Sequence, residues 1–329
     1  MKYLTNYSDE NIYKSAMLDF YFKDMNIGVL DIETTGLNPS KNKFILGGLY
    51  NFRDKTIHQF LAENKSEEKD ALCEFKKKLS KTDMVITYNG RHFDIPFIEK
   101  RMKNFSADIG SMPYNLDLYL VLNGHSPIKK FVPNLKQKTV ENYMGLWQNR
   151  QDEISGAESV ELYNTYEKNH DPKLEAKILL HNSDDVLQLT RLLKVISKSD
   201  FHKAMYHLGF PAGPLTVQKI DITRDFMIIT GIQRDISLNY IGFSFEDFPA
   251  ESRFEAKTGS FTFKIPLIRN SAMAIIDLDA AYVDRKTFEI YPVCSSGFLI
   301  VENHSKKNYM EINHFVKKFI EIFLNKINI

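Results

Sequence analysis

Cysteine is nearly absent: Cys73 and Cys294 are the only two in 329 residues. They stand far apart and without CxxC spacing, which excludes a disulfide scaffold and a cysteine-based structural zinc site and fits a reducing cytoplasm. Long apolar runs are missing too, so no membrane span is expected. The N-terminus, MKYLTNYSDENIYK, has no apolar core after its first lysine, and export is not expected either. Nor is there an excess of one charge, since 43 Lys and Arg face 42 Asp and Glu. The overall field therefore does not advertise a nucleic-acid binder, and any polyanion has to be held by local patches. Repeats and low-complexity tracts are lacking. What remains, 43% hydrophobic and 26% charged residues, suits one large globular domain or two smaller ones.

Residues 1–25 read as a polar lead. Residues 26–33 (NIGVLDIE) read as a buried strand ending in acids, followed by a turn over 34–39. Residues 44–51 and 56–61 form two further strands around an Arg53-Asp54-Lys55 turn. Leu72, Phe75 and Leu79 recur at helical spacing in 67–79, and 84–88 (MVITY) supplies the next strand. A loop over 89–94 enters a helix near Pro96, and the pattern from 116 to about 199 is mostly helical. Strands, then strand-helix alternation, then helices predict an α/β domain over 26–200, a mixed sheet flanked by helices. Beyond 205 alternating Phe261, Phe263, Ile265 and Leu267, strands near 273–278 and 298–301, and an amphipathic helix over 315–327 predict a smaller β-rich C-terminal domain.

Side chains alternate along a strand, so Asp31 and Glu33 share one face while Leu30 and Ile32 point to the other. Two carboxylates at the end of an apolar strand repel each other and resist desolvation, which calls for a cation. The bland reading is a strand leaving the core into a polar turn. Asp94 reads either as a helix N-cap before Pro96 or as a ligand on a strand-end loop. In the helix carrying HNSDDV, Asp185 lies above Leu189 and Leu192 on the core-facing stripe. Asp184 aligns with Gln188 and Arg191 and reads as a solvated charge. His181, four residues before Asp185, lies on the same face. Asp277-Leu278-Asp279 repeats the DxD spacing without accompanying motifs and reads as a strand end.

In this order the segments resemble the three exonuclease motifs of the DEDD superfamily: Asp31-Ile32-Glu33-Thr34-Thr35-Gly36-Leu37, then 89–94, then 181–185. Leu116-Asp117-Leu118, the run through Gly156-Ala157-Glu158 and HNSDDV resemble more specifically its YprB-like branch with a ribonuclease H-like fold. The resemblance covers about residues 26–197 and leaves the C-terminal domain without a role. One departure stands out: a residue four positions before the last aspartate is usually tyrosine in such enzymes, and histidine is usually spaced by five, whereas His181 combines histidine with the tyrosine spacing.

The resemblance implies a metal-dependent 3′-5′ exonuclease on single-stranded DNA or RNA, with Asp31, Glu33, Asp94 and Asp185 holding two Mg2+ or Mn2+ ions. His181 would take or orient the proton of the attacking water, and Thr35, Leu37 and Asn89 would contact the terminal nucleotide. Arg91, Lys100, Arg101 and Lys103 either serve phosphates or form a wet helix face, while Phe93 reads as core. Two other readings stay open: a non-catalytic nucleic-acid-binding or scaffold protein retaining the fold, and an endonuclease.

Overall fold

A computed structural model describes residues 1–107, 110–147, 150–151, 154, 156–245 and 248–329, with the backbone alone described at 156 and 157. The chain divides into two units, Met1–Ser199 and Asp200–Ile329.

The first unit runs β1 (Lys2–Tyr7), α1 (Ala16–Phe22), β2 (Ile27–Thr34), β3 (Phe44–Asn51), β4 (Thr56–Leu61), α2 (Glu68–Leu79), β5 (Met84–Thr87), α3 (Asp94–Asn104) and β6 (Tyr114–Asp117). It continues through α4 (Leu118–His125), α5 (Gln137–Tyr143), α6 (Gly156–Asn169) and α7 (Pro172–Leu192). The strands form one mixed sheet in the order β1-β4-β3-β2-β5-β6. β2 pairs antiparallel with β3 and parallel with β5, and β5 runs parallel to β6. The segment read as a lead supplies the edge strand, for Lys2 to Tyr7 register against Leu61 to Thr56 of β4. Its alternation is masked at an edge, where β1 buries so little that polar residues dominate the pattern.

β2 and β3 lie at the centre of the sheet, which accounts for their nearly continuous apolar sequence. Leu30 and Ile32 enter a core with Leu72, Phe75 and Leu79 of α2 and Phe97, Ile98 and Met102 of α3. On the opposite face Ile45, Leu46 and Leu61 pack against Tyr163 and Tyr166 of α6 and Ile178 of α7. Asp31 and Glu33 therefore face α6 and α7. Arg101 is no phosphate ligand: it is buried, its guanidinium is clamped at 2.6 Å by each carboxylate oxygen of buried Glu68, and it also donates to Pro39 O. Lys100 and Lys103 are exposed on that helix.

The second unit opens with α8 (Phe201–Leu208) and an antiparallel sheet of β7 (Phe210–Ala212), β8 (Leu215–Ile222), β9 (Phe226–Gln233), β10 (Tyr240–Phe243), β11 (Glu251–Glu255) and β12 (Ser260–Pro266). A smaller sheet holds β13 (Ile268–Arg269), β14 (Met273–Asp277), β15 (Cys294–Ser295), β16 (Phe298–Asn303) and β17 (Lys306–Lys307), and α9 (Tyr309–Lys326) ends the chain. Phe261, Phe263 and Ile265 alternate inward as predicted, and Phe263 meets Phe319 and Phe323 of α9 at 5.5 and 5.0 Å. Asp277 closes β14 and accepts from Ala280 N, so the DxD there ends a strand. Among the described residues no helix is long and apolar enough to cross a membrane.

Candidate active site

The sheet builds the site by alternation. Opposite Asp31 stands Gly48, and opposite Glu33 stands Leu46, all on the face covered by α7. Gly48 is what lets the helix come close: a Cβ there would lie 2.1 Å from Asn182 Oδ1. Asn182, wholly buried, donates through Nδ2 to Asp31 Oδ2 at 3.0 Å, while Gln59 Nε2 donates to Asn182 Oδ1 at 3.0 Å. Asp31 is thus held by a polar chain reaching back to β4. Glycine inside an apolar strand marks close approach, and Gly48 is the local signal for this contact, while Gly47 admits Phe75 on the other face. Gly48→Ala is expected to cost about 1–3 kcal/mol of stability by overpacking. Chemical denaturation checks it, and an unchanged midpoint would mean that α7 shifts freely.

Also on α7 lie His181, next to Asn182, and Asp185, one turn further on. His181 Nε2 stands 3.6 Å from Glu33 Oε1 and 3.7 Å from Asp185 Oδ2. The ligating atoms of Glu33, His181 and Asp185 all fall within 4.8 Å of one another, and among the described residues no other such group occurs. Glu33 and His181 are buried, and Ser159 of α6 donates to Glu33 Oε2 at 3.2 Å. The acids line a pocket of about 360 Å³ that also holds Leu37, Phe93, Lys136, Lys138 and Arg150. Burial pushes the Asp31 carboxyl well above the usual range, helped by the charges of Asp185, Glu33 and Asp94.

Asp94 takes a different position. It is the first residue of α3, so it is not the cap, and its Oδ1 accepts the Ile32 N–H at 3.2 Å. β2 extends past the end of β5, and Asp94 satisfies a strand donor that β5 no longer reaches. The carboxyl is raised to about 7, chiefly by burial, with Asp117 and Glu33 adding repulsion. Asp94 does not line the pocket. The loop before it is tied down by Asp117, whose carboxylate accepts from Asn89 N, Arg91 N and Tyr119 N at 2.9–3.0 Å. Arg91 is spent on Asn115 O and the Tyr114 ring.

Asp184 corrects the helix-face reading. Its side chain is buried and accepts the Gln151 N–H at 2.6 Å, on a side of α7 where Gln188 is also buried and donates to Leu146 O. Asp185, by contrast, keeps about 20% of its side chain exposed towards the pocket. Of the three expected substrate contacts, Leu37 lines the pocket and is 81% exposed. Thr35 does not line it; its hydroxyl accepts from Lys43 N at 2.9 Å, after an irregularity between Glu33 and Thr34 that leaves Thr34 in the lining. Asn89 lies in an adjoining hollow that shares Lys136 and Gln137 with the pocket. Phe93 packs against the core and also reaches the pocket.

Sequence reasoning missed Arg150. Its guanidinium lies 2.6 Å from Asp185 Oδ1 and 3.0 Å from Oε1 of Glu141, which is wholly buried. Nothing in the local pattern around residue 150 pointed to the site.

A family model described as RNase_H superfamily matches residues 29–197, just over half of the chain. The chain belongs to the RNase_H superfamily. The matched range spans β2 to the end of α7 and so contains every residue of the pocket. In this RNase_H superfamily chain, 189 residues are 28% identical to the uncharacterized protein YprB of Bacillus subtilis (strain 168), covering 55% of this chain and 45% of that protein. The chain therefore spans less than half the length of that curated relative. A solved family B DNA polymerase from the hyperthermophilic archaeon Pyrobaculum calidifontis aligns at 13% identity with a TM-score of 0.43, over 92% of this chain and 46% of that one.

Proposed function

We propose that the chain is a divalent-cation-dependent 3′-5′ exonuclease acting on single-stranded DNA or RNA. The observation that carries this reading is the convergence of Glu33, His181 and Asp185, beside Asp31, in a pocket also lined by Lys136, Lys138 and Arg150. An acidic centre in the same pocket as cationic groups suits a phosphodiester: the cations receive the phosphate, and the acids repel it unless a metal ion neutralises them. The donor set fits a divalent ion, with Glu33, His181 and Asp185 as the residues that would hold it. When bound, that ion supplies charge stabilisation of the phosphoryl oxygens and a more acidic water.

The chain's own groups do the positioning. Asn182 and Gln59 orient Asp31, and Ser159 orients Glu33. Leu37 offers an apolar surface to a terminal base at the pocket.

Incubation with single strands labelled at either end, and with a circular single strand, tests the proposal. Expected are immediate release of a 3′ label, a descending ladder from a 5′ label, an intact circle, and no reaction in EDTA. Cutting of the circle would make the enzyme an endonuclease, and cleavage in EDTA would sink the cation dependence.

A further inference from the structure

Resting on that reading, we propose that the centre holds one first-row transition-metal ion, ligated by Glu33, His181 Nε2 and Asp185, and that the Arg150 guanidinium stands in for a second cation. This departs from the pair of all-oxygen Mg2+ sites implied by the resemblance.

Three observations carry it. His181 Nε2 lies 3.6 and 3.7 Å from its two carboxylate oxygens. Those separations are too long for hydrogen bonds, yet they suit donors grouped around a single ion at about 2.0–2.2 Å from each. The imidazole is buried at 3% exposure between the two acids, so it is built into the centre. An imidazole among the donors shifts preference from Mg2+ towards Mn2+, Fe2+, Co2+ or Zn2+.

One oxygen of each acid on which a second ion would draw already has a partner. Asp94 Oδ1 accepts from Ile32 N, Asp31 Oδ2 accepts from Asn182, and Asp185 Oδ1 faces the Arg150 guanidinium at 2.6 Å. The guanidinium is itself anchored by two contacts to buried Glu141, at 3.0 and 3.1 Å, and Gln137 braces that same carboxylate at 2.9 Å. A permanently charged group fixed there supplies positive charge to the phosphate without exchanging, and repels another cation nearby. Asp185 divides its two oxygens accordingly: Oδ1 to Arg150, Oδ2 to the centre shared with His181.

Mn2+ is the probe. Electron paramagnetic resonance titration of the full chain is expected to show one tightly bound ion, with spin-echo modulation from a directly coordinated nitrogen. Incorporating nitrogen-15 histidine is expected to change that modulation without any substitution, which keeps the test valid if His181→Gln fails to fold. A folded His181→Gln is expected to lose the modulation and bind about 100-fold more weakly. Mg2+ is expected to displace Mn2+ only at an excess of about 100-fold or more, and Arg150→Met is expected to admit a second ion. Two ions on the wild-type chain, no nitrogen coupling, or displacement by equimolar Mg2+ would overturn the single-ion centre; Arg150→Met remaining at one ion would overturn the role of Arg150. Binding is read independently of cleavage. A chain that cleaves while holding two ions refutes this inference alone, whereas one nitrogen-ligated ion without cleavage refutes the exonuclease reading alone.

Discussion

Glu33→Gln is expected to lower the rate of strand cleavage by at least about a thousandfold, because the charge stabilisation supplied by a bound cation amounts to several kcal/mol and each 1.4 kcal/mol is about tenfold. The substitution keeps the shape of a side chain that is only 8% exposed, and a glutamine can still accept from Ser159, so packing stays as it was. What disappears is one negative charge from a centre where His181 and Asp185 lie within 4.8 Å. Without metal the variant is expected to be as stable as the wild type or more so, since its loss relieves repulsion on Asp31. Single-turnover cleavage and thermal unfolding in EDTA give both readouts. Full activity would remove Glu33 from the chemistry, and a large fall in stability would mark it as a structural residue.

The second large effect concerns pH. Asp31 and Asp94 both hold their protons more tightly in the fold than the ordinary 3.8 of an aspartate, the first well above it and the second to about 7. As pH rises from about 4, the unfolded chain releases protons that the folded chain retains, so stability is greatest at the acid end of this window and falls until Asp94 ionises near 7. For Asp94 alone the change corresponds to at most about 4 kcal/mol. Metal-free protein is therefore expected to show a melting temperature that declines between about pH 5 and about pH 8. Mn2+ is expected to reverse the decline, because a bound ion favours the ionised acids. Asp31→Asn in EDTA should make the decline shallower, leaving the part that Asp94 contributes. A metal-free melting temperature that rises with pH as steeply in the wild type as in Asp31→Asn would show that these carboxyls are not under strain.

The outcome for individual residues shows where local patterns suffice. Asp184 and Asp185 are neighbours on one helix, and helical spacing aligned the second with His181, where the structure also puts it. The same spacing assigned Asp184 to solvent, and it is buried. A helical wheel counts the faces of one helix, and it cannot know that Leu146 and Gln151 meet its outer side. Arg101 teaches the same lesson: a basic residue amid Glu99 to Lys103 reads as wet, yet its partner Glu68 arrives from α2, some thirty residues upstream.

Period-two alternation by itself determined that Asp31 and Glu33 share a face and that Leu30 and Ile32 make core, because strand geometry leaves no other choice. Four-residue spacing likewise determined that His181 and Asp185 address one point. These are properties of single elements, and a sequence states them directly. Only the tertiary structure decided which groups meet those faces: Asn182 against Asp31 through the gap at Gly48, Asp94 turned to the backbone of β2, β1 laid on the sheet edge, and Arg150 brought to Asp185. Each of these contacts joins residues from different elements, and their pairing depends on packing the whole unit, which no local periodicity encodes.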